Sequence, residues 1–328
     1  MRMLNGRYRL DHRIAVGGAS EVWRGQDEML DRAVAVKVMT LGAGRVADPP
    51  DGLSEVRAEA RAAAALTHPN IAGVYDFGAS DAAAGLAIRY IVMELAEGET
   101  LARHLRAGPL DWQIAVRVCA EVCAALAAAH LHGVVHRDIK PANVILTPYG
   151  AKVLDFGISV MSGNDDVLSD GNLVGTPAFM APERFGGVAA APPTDMYAVG
   201  VLLYLCLVGR LPWPAPTDPH QRPTAPTTPP RPLPPIPGLP VEIAELCLAC
   251  LDSDPERRPT SFLAAVLLAE AVDATIHLPP VATAAPDEPA AVSPWTRAAA
   301  EAATNHAVEA VTDRAVGSPE PPAGRHRA

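Results

Sequence analysis

Five short clusters in this 328-residue chain carry side chains able to do chemistry. They are AVGGASEV at 15–22, VAVK at 34–37, HRDIKPAN at 136–143, DFG at 155–157 and APE at 181–183. The small residues Gly17, Gly18 and Ser20 let backbone N–H groups approach the oxygens of an anion such as phosphate. An ordinary tight hairpin is the plainer alternative. Lys37 stands inside an apolar run, where a lone ammonium is costly to bury and calls for a partner. Glu59, within an Ala-rich stretch, is the best candidate, with Glu55 competing and a solvated helix face as the alternative for either. A three-letter match is weak by itself. The order of the five clusters and the contexts in which they fall are what carry weight.

Those contexts come from the hydrophobic pattern. Residues 7–40 read as strands broken at Gly17-Gly18, and AVAVKVM is apolar on both faces, as a buried strand is. A Gly/Pro/Asp loop at 41–52 leads to SEVRAEARAAAAL at 54–66, whose Ala, Arg and Glu favour helix. HPN stops that helix, and IAGVYDFG and LAIRYIVMEL read as two more strands. Asp111 can cap a helix reaching about His132, with Ile114, Val118, Val122 and Leu126 at four-residue spacing and Gly133 just beyond. Short strand-like pieces follow at VVH, NVIL and AKVLDF, and helices are expected at 195–209, 241–252 and 260–275. The fold class is therefore α+β, bilobal, with a sheet-rich lobe at 1–95, a mainly helical lobe at 96–275 and a cleft between them.

Composition narrows the partners. Acidic residues number 37 against 27 basic, a net charge of −10, which disfavours binding to bulk nucleic acid. The cysteines at 119, 123, 206, 247 and 250 lie in apolar stretches and are odd in number. They read as buried reduced thiols rather than a disulfide framework. Cys247 and Cys250 form a C-x-x-C, but no second pair or nearby His completes a zinc site. MRMLNGRYRL has no apolar core of a secretory signal. The longest apolar run, 196–208, has 13 residues, short of the ~20 that span a bilayer, so no membrane span and a cytoplasmic location are expected. Of 33 prolines, 13 fall at 211–240 and eight at 279–322. The first window cannot hold a regular helix or strand, and 276–328, rich in Ala, Pro, Thr and Glu, reads as a disordered tail.

The ordered clusters resemble the protein kinase family over about residues 7 to 275. HRDIKPAN is similar to the catalytic loop of serine/threonine kinases, and GGASEVW with HPNIAGVYDFG is similar to the bacterial, eukaryotic-like (Hanks-type) members. The resemblance implies a phosphotransferase using ATP with Mg²⁺, or Mn²⁺ in its place, on Ser/Thr hydroxyls of proteins, itself included through self-association. Such chemistry needs phosphates held, charge neutralised and a hydroxyl aimed. By resemblance, Ile14, Ala15, Val16, Gly17, Gly18, Ala19, Ser20, Glu21 and Val22 form the loop over the nucleotide, and Lys37 paired with Glu59 reaches the α/β-phosphates. Asp138 takes or orients the hydroxyl proton and Lys140 neutralises the moving phosphate. Asn143 and Asp155 offer oxygen to the metal, a hard cation. Val22, Ala35 and Ile145 would cover the adenine, Met93 is the gatekeeper, and the backbones of Glu94 and Ala96 would meet the base edge. His136 reads as support for the loop, Asp195 as its holder, and Glu183 with Arg258 as a buried brace.

Three departures from the family pattern stand out. The glycine loop has Ala15 and Ser20 where the family has its first and third glycines, and a Cβ disfavours positive φ. Asp170 stands near Ser159, Ser162, Ser169 and Thr176, and a carboxylate there could partly replace a phosphate against Arg137. At 231–237, RPLPPIP reads first as a stiff surface loop, with its resemblance to a polyproline II ligand for an aromatic groove as the alternative. Competing functions are a nucleotide-binding pseudokinase or scaffold, an adaptor acting through its proline-rich parts, and a small-molecule kinase of the same broad fold.

Overall fold

Alternation along residues 32–39 builds the first lobe. The computed structural model describes residues 2–17, 20–39, 64–81, 87–156, 177–214 and 224–280. Six antiparallel strands are β1 (Arg2–Leu4), β2 (Tyr8–Val16), β3 (Ser20–Asp27), β4 (Arg32–Met39), β5 (Val74–Asp81) and β6 (Ala87–Glu94), in the order β1-β2-β3-β4-β6-β5. Successive side chains of a strand point to opposite faces. In β4, Val34, Val36 and Val38 therefore join Leu4, Tyr8, Leu10, Tyr90 and Val92 on one face. Ala35 and Met39 join Ile91 and Met93 on the other. Lys37, two residues from each of Ala35 and Met39, belongs by the same period to that second face.

The second lobe is built on α2 (Trp112–Leu131), which follows β7 (Glu99–Thr100) and a short α1 (Leu101–His104). The Asp111 carboxylate accepts the Gln113 N–H at 3.1 Å and caps α2. By length and composition α2 could cross a membrane, which corrects the expectation that no segment could. Arg117 and Glu121 interrupt its apolar run, so counting unbroken residues overlooks it. Its apolarity has a local cause: fourteen of its residues are buried inside the lobe, against α4 (Pro192–Val208), α5 (Val241–Cys250) and α6 (Ser261–Glu270). Thr260 caps α6 through the Leu263 N–H at 3.2 Å. All five cysteines are free and buried, and burial pushes the Cys123 and Cys247 thiols well up. They are packing groups, and no metal-holding cluster of His, Cys, Asp or Glu occurs among the described residues.

Between α1 and α2's partners lie the segments that carry the chemistry. β8 (Val144–Thr147) pairs with β7 and with β9 (Gly150–Val153) in a small second sheet. VVH at 134–136, expected as strand-like, forms no strand. The expected helix at 54–66 lies almost wholly outside the described residues. A short α3 (Pro182–Phe185) carries the APE glutamate. The Arg258 guanidinium takes both Glu183 carboxylate oxygens at 2.8 Å and the Pro193 carbonyl at 2.9 Å. That hydrogen-bonded pair holds the Glu183 carboxyl below its ordinary range although burial alone would raise it.

The proline-rich stretch is docked on the lobe. Leu233, Ile236 and Leu239 pack against the helical core, while Arg231, Pro232, Pro234, Pro235 and Pro237 stay exposed. The three-residue spacing is that of a polyproline II helix with one edge turned down. The Arg231 N–H donates to the Pro212 carbonyl at 2.9 Å and Trp213 Nε1 to that of Thr228 at 2.9 Å. The segment's apolar edge is thus satisfied within its own chain. The compact unit runs Met1–Pro279, because Ile276 and Leu278 also pack on the core.

Gly200 tests the helix contact. A Cβ there would lie 2.7 Å from Cys250 Cβ, across the α4–α5 crossing. Gly200→Ala is expected to destabilise the protein by about 1–3 kcal/mol through overpacking, read as a lower urea midpoint with an unchanged slope.

Candidate active site

The loop 136–143 is hung from the start of α4. The Asp195 carboxylate is buried and accepts the His136 N–H on Oδ2 at 2.8 Å and the Arg137 N–H on Oδ1 at 2.8 Å. Its Oδ2 also accepts from His130 Nε2 at 2.8 Å. Because Nε2 faces a carboxylate, it carries the proton, and Nδ1 lies 2.9 Å from Ser261 Oγ. Arg137 has φ +70°, a left-handed conformation that costs a non-glycine residue free energy and persists only where surroundings hold it. The two charge-assisted bonds from Asp195 supply that hold.

His136 links this loop to the strand end that follows it. Its Nε2 donates to the Leu154 carbonyl at 2.7 Å, and its Nδ1 accepts the Asp138 N–H at 3.2 Å. Both nitrogens are thus used, and the ring meets that of Phe156 in a T-shaped contact at 4.6 Å between centroids. His136 thus supports the loop and has no free nitrogen for proton transfer.

Asp138 lies at the centre of the polar groups. Lys140 Nζ donates to its two oxygens at 2.9 and 2.6 Å. Asn143 Nδ2 donates to the Asp138 carbonyl at 2.7 Å and to its Oδ2 at 2.9 Å. With the amide nitrogen so committed, the oxygen of Asn143 is the atom left to a cation. The Asn143 carbonyl accepts the Leu154 N–H at 2.9 Å, so Asn143 and Asp155 sit on adjoining strand ends. Asp155 has φ +65°, and its Oδ2 takes Lys37 Nζ at 2.8 Å. An oxygen-only donor pair beside two lysines fits a hard divalent cation with a polyanion.

The expected adenine slot divides into two parts. Val22 stands opposite Lys37 and Ala35 opposite Met93 in the sheet register. Val22, Ala35 and Met93 share one apolar cluster. Ile145 is half-buried on β8 and belongs to none of the apolar clusters. Gly98 lies against β8 so closely that a Cβ would be 2.1 Å from the Leu146 carbonyl oxygen. The Glu94 N–H donates to the Gly73 carbonyl at 2.8 Å, and its carboxylate takes the Gly73 N–H and Lys152 Nζ. Ala96 follows, half-buried.

The loop at 14–22 is a hairpin in which the Gly17 N–H donates to the Ser20 carbonyl at 2.8 Å. Ala15 pairs with Val22 and Val16 with Glu21; Ile14 and Val16 are exposed. The Glu21 carboxylate is committed to Arg13 at 2.7 Å and to Trp23 Nε1 at 3.1 Å, which leaves a ligand only its backbone. The Arg13 hydrogen bond holds that carboxyl below its usual range. Gly18, Ala19, Glu59, Ser159, Ser162, Ser169, Asp170 and Thr176 lie outside the described residues. Lys37 was expected to pair with Glu59; among the described residues its partner is Asp155. Sequence reasoning missed His130, Ser261, Asn70 and Lys152, since no motif marks them.

The family model described as "Protein kinase domain" matches residues 8–272. The serine/threonine-protein kinase PknA of Mycobacterium tuberculosis (strain ATCC 25177 / H37Ra) is 41% identical over 212 residues, 64% of this chain and 48% of that protein. PrkC of Bacillus subtilis (strain 168) is 36% identical over 214 residues, 65% of this chain and 32% of that one. The chain spans about half the length, or less, of these curated relatives. The crystal structure of the Mycobacterium tuberculosis PknI kinase domain, in a cysteine-to-alanine mutant form, superposes with a TM-score of 0.61 at 23% identity, covering 82% of this chain and 97% of that one. That likeness bears on the fold alone.

Asp195→Ala is expected to cost about 3 kcal/mol or more, since it strips several hydrogen bonds from a charged acceptor at once. Ser261→Ala should cost about 1 kcal/mol. Urea denaturation of both variants checks the order.

Proposed function

The chain belongs to the protein kinase family, among bacterial serine/threonine kinases, and from that premise we propose that it transfers the γ-phosphate of ATP to Ser/Thr hydroxyls of proteins. The observation that carries the proposal is the convergence of Lys37 with Asp155, and of Lys140 and Asn143 on Asp138, within one site. A scaffold without turnover has no need of two lysines and three oxygen-bearing side chains so arranged.

The roles follow from the chemistry of each group. Asp138, its carboxylate steadied by Asn143 and Lys140, accepts a hydrogen bond from the substrate hydroxyl and aims its oxygen in line with the phosphorus. Lys140 lies beside it to neutralise charge on the group in transfer. Lys37 holds phosphate oxygens from the sheet side. Asn143 and Asp155 would hold Mg²⁺, or Mn²⁺, which when bound neutralises the phosphate oxygens. Val22, Ala35 and Met93 on one side and Ile145 on the other would enclose the adenine, with the backbones of Glu94 and Ala96 at its edge. The hairpin of residues 14–22 would lie over the phosphates through backbone N–H groups.

Protein substrates, and self-phosphorylation through association of two copies, complete the reading. The APE cluster and the sequence Gly175-Thr176-Pro177 favour an extended peptide over a small molecule. We place the domain in the cytoplasm, where nucleotide is abundant; its five reduced, buried thiols support that.

The test is incubation of purified chain with ATP and Mg²⁺, read by intact mass and phosphosite mapping. Wild type is expected to gain phosphate. Asp138→Asn should lose about 10²–10⁴-fold in rate, with nucleotide affinity kept. Nucleotide binding without phosphate on the chain or on a generic protein substrate would overturn the proposal in favour of the scaffold.

A further inference from the structure

Behind the linker between the lobes lies a group of titratable side chains that the proposed chemistry leaves unused: His68, Glu94, Lys152 and His277. Residues 274–278 run there as an extended strap. Ala274, Ile276 and Leu278 turn onto the helical core, while Thr275 and His277 are exposed. His68 Nε2 lies 2.8 Å from the His277 carbonyl oxygen, and the two rings meet edge to face at 6.4 Å. A carbonyl only accepts, so Nε2 carries the proton. Nδ1 accepts the Asn70 N–H at 3.1 Å. The neutral ring in this one tautomer satisfies both contacts. A second proton, on Nδ1, would point at the Asn70 N–H.

Asn70 in turn clamps β9. Its Nδ2 donates to the Ala151 carbonyl at 2.8 Å, and its own carbonyl accepts the Val153 N–H at 2.8 Å. The Ala72 N–H donates to the Val153 carbonyl at 3.0 Å. From the helical side the Glu121 carboxylate takes the Ala151 N–H at 2.5 Å, and Lys152 Nζ is tied to Glu94 at 2.9 Å. β9 ends at Val153, two positions before Asp155. Hydrogen bonds thus run unbroken from the strap through His68 and Asn70 to the strand that leads into Asp155.

We propose that the strap at 274–278 and His68 form a latch that positions β9, so that releasing the strap loosens the metal-holding end of the site. The consequence for metal rests on the role given to Asp155 above; the mechanical coupling does not. His68 acts through Asn70 and is a positioning residue. The charged and titratable groups facing it are Lys152 on β9, with Glu94 of β6 beyond, and His277 on the strap. Burial lowers the His68 pKa below the ordinary 6.5, the hydrogen bond to His277 opposes this, and the charges of His277 and Lys152 add to the lowering. The folded chain therefore binds this proton less readily than the unfolded one. The latch is fully closed above the ordinary histidine range and is lost as pH falls through the lowered value.

The experiment is amide hydrogen exchange of the full chain at about pH 7.5 and at a series of lower pH values that runs below the ordinary histidine range, corrected for intrinsic rates. The variants are His68→Phe, His68→Gln and the double substitution Ile276→Asp with Leu278→Asp, with α2 amides as the control for global unfolding. At the higher pH, Ala72 and Val153 are expected to exchange about tenfold faster in His68→Phe and in the strap variant, the change for loss of one buried hydrogen bond. His68→Gln, which keeps a donor, should recover part of the protection. Wild type should show the same rise as pH falls through the lowered His68 value, an arm that needs no substitution, and His68→Phe should not respond further. The KM for Mg²⁺ is expected to rise with kcat little changed. Unchanged protection at Ala72 and Val153 while the strap's own amides exchange freely would overturn the latch. Should wild type transfer no phosphate and the exchange pattern still hold, the latch stands and the kinase reading fails.

Discussion

The structure of the site depends on one buried carboxylate. Asp195 sits in the first turn of α4, out of contact with water, and takes N–H groups from His136 and Arg137 and the ring N–H of His130. A buried charge is costly unless it is fully hydrogen-bonded, and here the bonds come from the backbone that must be held. The same contacts sustain the left-handed Arg137, whose geometry turns the chain so that Asp138 meets Lys140 and Asn143. Without that anchor the loop has no local reason to keep a strained residue.

Around this anchor, each lobe presents its reactive groups by simple geometry. Strand periodicity places Lys37 on the face of Ala35 and Met93, opposite the face that packs the sheet's main core. β9 is held by Asn70, Glu121 and Glu94 through its backbone and through Lys152. The Lys37–Asp155 contact therefore joins β4 to the segment that follows β9 in the other lobe. At Glu121, burial raises the carboxyl pKa against the hydrogen bond from Ala151 and the nearby Arg117. It is a group held for position rather than for reaction.

The helical lobe shows how an unusual composition is absorbed. Alanines along α2 and Gly200 in α4 allow helices to approach closely. The proline-rich stretch, which has lost most of its N–H donors, cannot join a helix or sheet. It instead lays Leu233, Ile236 and Leu239 on the lobe and keeps the few bonds its remaining groups can make. Arg258 ties Glu183 to the far side of the same core and stacks over Tyr197, 5.0 Å from the ring centroid, which itself stacks on Trp213 at 5.8 Å.

Much of this was legible in the residues. The cap Asp111, the apolar run of β4, the apolar period of α2 and the ordered clusters at 34–37, 136–143 and 155–157 are local signals, and local physics reads them. The family to which the chain belongs, its bilobal fold and the residues around Asp138 followed from those signals. What sequence could not decide were contacts between residues far apart along the chain. That His130 and Ser261 brace Asp195, that Asn70 and Lys152 grip β9, and that 231–239 and 274–278 dock on the core depends on which surfaces the packed helices bring together. Each is a hydrogen bond or apolar contact made by a residue type common everywhere, so no pattern announces it. Residue types determined the chemistry available to this protein. Only the packing of the lobes determined which of those groups are held still enough to use it, because holding a charged or strained group requires partners that the chain supplies from a distance.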